Sequence, residues 1–149
     1  MANYKQPFKE RVNDTTSEDK FEANCRENGL KFYKYGIDNH PFGKELHKVY
    51  RFVRNTPDYI VMGSFAYFVE VKGCRDIVKI KEQDLNHYKE WNNKMLLYFY
   101  FYSTTFNESK VLSYNKISRL IPSCETDCYP DATKYDNKMY YKIRWRDLC

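Results

Sequence analysis

The sequence predicts an α/β protein with a mixed central sheet flanked by helices. Three observations lead there. Residues 94–103, KMLLYFYFYS, are almost continuously apolar, the pattern of a strand covered on both faces. Residues 58–62 and 65–72, DYIVM and FAYFVEVK, are short β-rich runs separated by Gly63-Ser64, the pattern of a hairpin. Two stretches with apolar residues at helical spacing, 16–28 and 78–93, bracket that hairpin in the chain.

The elements follow in order. Residues 1–16 read as a polar arm. Thr16 or Ser17 can cap a helix running to about Asn28, with Thr16 and Asp19 in capping-box spacing and Phe21 and Cys25 on its apolar stripe. Gly29 is a C-terminal stop. Residues 30–37, LKFYKYGI, alternate as a half-buried strand does. Residues 38–56 are compatible with a helix or with one arm of a hairpin. After the hairpin strands, Gly73 ends the second. The helix at 78–93 carries Ile80, Leu85, Tyr88 and Trp91 roughly on one face. The tail holds a short helix at 113–121, an irregular stretch with Pro122 and Pro130, and a last alternating strand at 138–148.

The bulk numbers bound what this fold can do. The 149 residues suit one domain. With 42% hydrophobic and 30% charged residues, the composition is that of a globular chain, not a disordered one. The longest apolar run, 95–102, is too short to span a bilayer. The N-terminal MANYKQPFKERVND lacks the apolar core of a secretory signal. Five cysteines, at 25, 74, 124, 128 and 149, are odd in number and scattered, which points to free thiols in a reducing compartment. Cys124 and Cys128 lack a second Cys/His pair at zinc-site spacing. The expectation is a soluble cytoplasmic protein, acting inside a cell. The net charge of +5 suits a polyanionic partner and equally suits an ordinary surface.

The chemistry concentrates in residues 55–74, NTPDYIVMGSFAYFVEVKGC. Side chains alternate along a strand, so Glu70 and Lys72 share a face and Val71 points away. Pairing the two strands through Gly63-Ser64 places Asp58 opposite Val69 or Glu70. Two carboxylates at one sheet end repel unless a positive group lies between them. A hard divalent cation such as Mg²⁺, which takes few protein carboxylates and keeps several waters, answers that need. It would acidify a bound water and offset charge on a phosphate oxygen, with Lys72 beside it to orient the water or touch the phosphate. Taken singly, each residue has a plainer explanation. Asp58 can be a turn residue after Pro57, and Glu70 with Lys72 an exposed ion pair. The apolar neighbours Phe68, Val69 and Val71 argue that the strand is central, where charges call for a reason.

Pro57-Asp58 followed by Glu70-x-Lys72 at a hairpin end, and then by a helix, resembles the PD-(D/E)xK nuclease superfamily. In outline it is closest to Holliday-junction-resolvase-like endonucleases. The resemblance covers about residues 17–103 and implies the restriction-endonuclease-like αβββαβ core, with 104–149 as a C-terminal extension ending in a strand. It also implies that Phe21-Glu22 carries a further acid of the site, that Gln83 on the second helix supports it, and that His87 or Tyr88 adds a contact to DNA. Asp58, Glu70 and Lys72 would be the catalytic set. Asp58, Glu70 and the Val71 carbonyl would hold Mg²⁺, with Mn²⁺ as a substitute.

The implied function is metal-dependent hydrolysis of DNA, branched DNA included, by an endonuclease that works as a homodimer, in a virus or phage setting among others. Lys44, Lys48, Arg51 and Arg54 in the central stretch are candidate phosphate contacts, as are Lys142, Arg144 and Arg146 in the last strand; a solvated basic face explains the first group equally well. Two other readings stand beside it: a nuclease fold that binds nucleic acid without cutting, and a phage-type protein-interaction module with a Tyr-rich surface.

Overall fold

A computed structural model describes residues 15–36, 55–128 and 139–149. The expected polar arm up to residue 14, and the basic stretch with Lys44, Lys48, Arg51 and Arg54, lie outside the described residues.

Helix α1 spans Thr16–Glu27 and buries Ser17, Phe21 and Cys25, one side chain per turn. Its N-cap is Thr15, one residue before the expected cap. The Thr15 hydroxyl donates to the Asp19 carboxylate (3.1 Å) instead of capping a backbone amide. Acids Glu18 and Asp19 in the first turn and Arg26 in the last suit the helix dipole. The helix ends as Gly29 predicts. Gly29 adopts φ +66, its amide donates to the Arg26 carbonyl, and the Leu30 amide donates to that of Cys25. This pair of bonds reverses the chain at low steric cost because glycine has no Cβ.

Strands β1 (Lys31–Lys34), β2 (Tyr59–Met62) and β3 (Ala66–Cys74) follow as an antiparallel meander. Tyr59 pairs with Val69 and Met62 with Ala66. Of the two registers open at the outset, this one sets Asp58 alongside Glu70, one step beyond the last pair. Strand β3 runs through Gly73 to Cys74, because its other edge is paired in parallel with β5 (Leu97–Ser103) from Phe68 to Cys74. Strand β6 (Glu108–Ser113) completes a five-stranded mixed sheet of order β1-β2-β3-β5-β6.

A parallel pair requires a long crossover. Here it contains β4 (Ile77–Lys81) and α2 (Glu82–Lys94). This corrects the expected helix from Val78. Val78 and Ile80 point inward and Lys79 outward, a period of two that β-branched residues satisfy well. The deciding partner is remote. β8 (Met139–Arg144) pairs with β4, and β7 (Glu125–Cys128) with β8, to form a second, three-stranded sheet. Between β6 and β7 lies α3 (Tyr114–Leu120), where the Ser113 hydroxyl accepts from the Lys116 amide.

The large sheet separates two apolar clusters. On the α1 face lie Phe21, Cys25, Tyr59, Val61, Val69, Tyr100 and Tyr102. On the α2 face, Phe68, Phe99 and Phe101 pack with Leu85, Tyr88 and Trp91 of α2 and with Val78, Ile80 and Ile143 of the small sheet. β5 feeds both clusters, which is why it reads as an unbroken apolar run. The last strand stops at Arg144, not at residue 148; a 3₁₀ turn at Trp145–Asp147 then buries Trp145 and Leu148. Arg146 therefore leaves the strand face that Lys142 and Arg144 share, and approaches Asp147 (3.9 Å). Lys110 of β6 fastens this terminal turn, donating to the carbonyls of Trp145 (2.7 Å) and Leu148 (3.0 Å). No helix among the described residues is long and apolar enough to cross a membrane.

Candidate active site

Asp58 sits immediately before β2 begins, beside the point where β1 ends. Buried Pro57 precedes it. Its backbone carbonyl accepts from the amides of Tyr35 (2.7 Å) and Gly36 (3.0 Å). Its carboxylate accepts from the Val71 amide, Val71 N to Oδ2 2.8 Å. Three amides thus fix this residue at both ends. Gly36 lies so close that a Cβ there would come within 3.2 Å of the Asp58 Cα and 3.3 Å of its Oδ1.

Glu70 is buried at 8% exposure, on the α2 face of a central strand. Such a charge is tolerated only when it has partners. Tyr88 of α2 donates to Glu70 Oε1 at 2.6 Å, and Lys72 Nζ lies 3.6 Å from the same oxygen. The Lys72 ammonium also lies 5.6 Å above the Tyr88 ring. Burial pushes the Tyr88 phenol well above its ordinary pKa, and the charges of Glu70, Asp84 and Asp58 push it further. The hydroxyl therefore keeps its proton and acts as a donor.

The α1 side contributes a second charged group. Lys34 at the end of β1 pairs with Glu18 Oε2 at 2.7 Å. Burial lowers the Lys34 pKa, but its bond to Glu18 and the charges of Glu18, Glu22 and Asp58 outweigh that and leave it raised. Burial first, then the acids Glu18, Glu22, Asp58 and Asp19, raise Tyr59. Glu22, half-buried on α1, therefore shares an electrostatic neighbourhood with Asp58 on the Lys34 side.

Gln83 is the second residue of α2, so it lies at the helix start and not one turn in. Its carbonyl is 2.8 Å from His87 Nδ1, which is 3.0 Å from Asn55 Nδ2. His87 thereby links α2 to the segment that leads into Asp58.

Two carboxylates and one backbone carbonyl, at Asp58, Glu70 and Val71, are hard oxygen donors on adjacent backbone. They suit a cation that keeps much of its water, not one that needs a closed cage. Among the described residues, no group of three or more His, Cys, Asp or Glu side chains converges as a metal cluster.

The candidate phosphate contacts at the far end of the chain are answered by acids. Lys142 lies 3.6 Å from Glu125 and 3.9 Å from Asp127, and Arg144 lies 3.9 Å from Glu125. The sequence offers no direct sign of three features that shape the site: Gly36, the Glu18–Lys34 pair, and Tyr88 as the partner of Glu70. The sign available for Tyr88 is a hydroxyl-bearing ring on the apolar stripe of a helix that must cover an acid-bearing strand.

No family model and no curated protein matches the chain. Solved structures do. The Holliday junction resolvase Hjc of the archaeal hyperthermophile Archaeoglobus fulgidus superposes with a TM-score of 0.54 at 11% identity, over 88% of this chain and 86% of that one. A nuclease from a fusselovirus gives a TM-score of 0.47 at 13% identity, over 86% of this chain and 77% of that one. With Asp58 in a Pro-Asp pair at one strand and Glu70-x-Lys72 on the next, the chain has the restriction-endonuclease-like nuclease fold.

Proposed function

We propose that this chain is a metal-dependent endonuclease that hydrolyses phosphodiester bonds in DNA. The observation that carries the proposal is the 2.8 Å bond from the Val71 amide to the Asp58 carboxylate. It sets that carboxylate against the Glu70-Val71 backbone, so both acids belong to one end of the β2–β3 pair. In this reading Asp58, Glu70 and the Val71 carbonyl hold Mg²⁺ or Mn²⁺. When bound, the ion supplies an acidified water and charge stabilisation on the phosphate. Lys72, anchored by Glu70, orients the attacking water and donates to the phosphate oxygen on which charge builds. The water oxygen would bond to phosphorus as the P–O bond to the leaving ester oxygen breaks, the water's proton passing to solvent and the leaving oxygen taking one from solvent. Gln83 at the head of α2 and Glu22 on α1 flank this centre as supporting groups.

DNA is the proposed partner and four-way junctions the first substrate to try, since the structural neighbour is a Holliday junction resolvase. Lys142, Arg144 and Arg146 are proposed phosphate contacts, as are Lys44, Lys48, Arg51 and Arg54 in the central stretch. A second copy of the chain would supply the matching cut on the opposite strand.

The test is cleavage of plasmid, linear and four-way-junction DNA with Mg²⁺ or Mn²⁺, comparing the wild-type chain with Asp58→Ala and Lys72→Ala. The expected result is wild-type cleavage, loss with Asp58→Ala, and a fall of about 10²–10⁴-fold with Lys72→Ala. Cleavage that survives both substitutions sinks the assignment. Binding without cutting under either metal replaces it with the non-catalytic reading.

A further inference from the structure

We propose that Tyr88 is a positioning residue that sets Glu70 with its hydroxyl and Lys72 with its ring. This rests on the nuclease reading above and assigns one side chain to two members of its centre.

The geometry has two parts. The phenol donates to Glu70 Oε1 at 2.6 Å, a short charge-assisted bond inside the core. The same ring lies 5.6 Å beneath the Lys72 ammonium, which also approaches that oxygen at 3.6 Å. Glu70 and Lys72 are neighbours on one strand face, and long side chains on a strand have rotamer freedom. A rigid ring from another element removes that freedom for both. Tyr88 itself has little room to move. It is buried, packs edge-on against Phe99 with ring centroids 5.5 Å apart, and belongs to the stripe with Leu85 and Trp91 that fastens α2 to the sheet. With the phenol and the lysine both directed at Oε1, the orientation of the carboxylate about its own axis is set, and with it the direction in which Oε2 presents itself.

The two roles separate by substitution. Tyr88→Phe keeps the ring and removes the donor. Tyr88→Gln keeps a donor of reduced reach and removes the ring. Calorimetric titration of the full chain with Mn²⁺ alone, without DNA, reads the first role. Single-turnover cleavage at saturating Mn²⁺ reads the second. Partners that orient metal ligands usually carry 10–100-fold in metal affinity, so Tyr88→Phe is expected to weaken Mn²⁺ binding by about that factor. Its cleavage rate at saturating metal should fall less than that of Tyr88→Gln, because the ring under Lys72 remains. Tyr88→Gln is expected to lose rate at saturating metal, by about tenfold or more, with a smaller change in Mn²⁺ affinity. Circular dichroism confirms that each variant is folded at the assay temperature. If Tyr88→Phe binds Mn²⁺ as the wild-type chain does while the latter cleaves DNA, the positioning role is overturned and the nuclease reading stands. If the wild-type chain neither binds Mn²⁺ nor cuts, both fall together.

Discussion

The Asp58 side chain takes the place of a backbone partner for Val71, accepting the amide that a longer β2 would have paired. Asp58 is thus a structural residue as well as an acid, and the two roles separate by substitution. Asp58→Ala leaves the Val71 amide without its acceptor and should cost about 1–3 kcal/mol of stability. Asp58→Asn retains an acceptor oxygen and should recover most of that loss without recovering cleavage. Urea denaturation and cleavage, measured on the same preparations, check both halves; equal stability of the Ala and Asn variants contradicts this account of the bond.

Gly36 is the second prediction. A Cβ at this position meets Asp58 backbone at 3.2 Å; that backbone is held by the amides of Tyr35 and Gly36, and the Asp58 side chain by the amide of Val71. The neighbour cannot give way without breaking those bonds. Gly36→Ala should therefore destabilise by about 1–3 kcal/mol, as overpacked sites do. It should also lower cleavage on the order of 10²-fold, since a small misplacement of an acid at the centre is costly. A variant with wild-type melting and wild-type rate would show that the 34–36 segment adjusts freely.

Thiol chemistry gives a third. Burial, with the charge of Asp76 adding to it, pushes the Cys74 thiol up to about 11 from 9.0. A thiol that holds its proton more tightly when folded favours the folded state below the unfolded pKa. That contribution is lost as pH rises from about 9 through about 11, so stability should fall across this window. At neutral pH, exposed Cys128 and Cys149 should react with a thiol reagent first, and buried Cys25 and Cys74 only on unfolding. Peptide mass spectrometry after graded labelling reads the order directly; early modification of Cys74 contradicts its placement.

The fourth concerns Lys110. Its ammonium donates to two carbonyls of the terminal turn and lies 4.9 Å over the Trp145 ring. Lys110→Met removes charged hydrogen bonds of a kind worth about 1.5–3 kcal/mol. Hydrogen exchange should then accelerate in residues 139–149 before it does in β3 or β5. Uniform acceleration across all strands would mean that the turn opens only with global unfolding.

These residues also show what the sequence made legible. The β2–β3 hairpin, β5 and α1 were readable because each satisfies a local rule: alternation, a run covered on both faces, a glycine stop. Asp58, Glu70 and Lys72 were readable because they stand on that hairpin, where register converts spacing into proximity. β4 was not. Its period of two spans five residues and continues without a break into the helical pattern of α2, so its state is decided by β8, which begins 58 residues after β4 ends. Tyr88 was hidden for a related reason: on a helical stripe, a ring that packs and a ring that donates look alike. Gly36 carries no local pattern at all, since its importance comes from Asp58, twenty-two residues away.

The pairing of β4 with β8 bears on how the protein is made. Every residue assigned to the catalytic centre precedes residue 89, yet the core under α2 includes Ile143, Trp145 and Leu148. During synthesis, the hairpin with Asp58, Glu70 and Lys72 leaves the ribosome long before those three side chains do. Until they arrive, α2 lacks part of its packing surface. The hairpin and its acids would thus be in place before the helix that carries Tyr88 gains the whole of its apolar support from β8 and the turn after it.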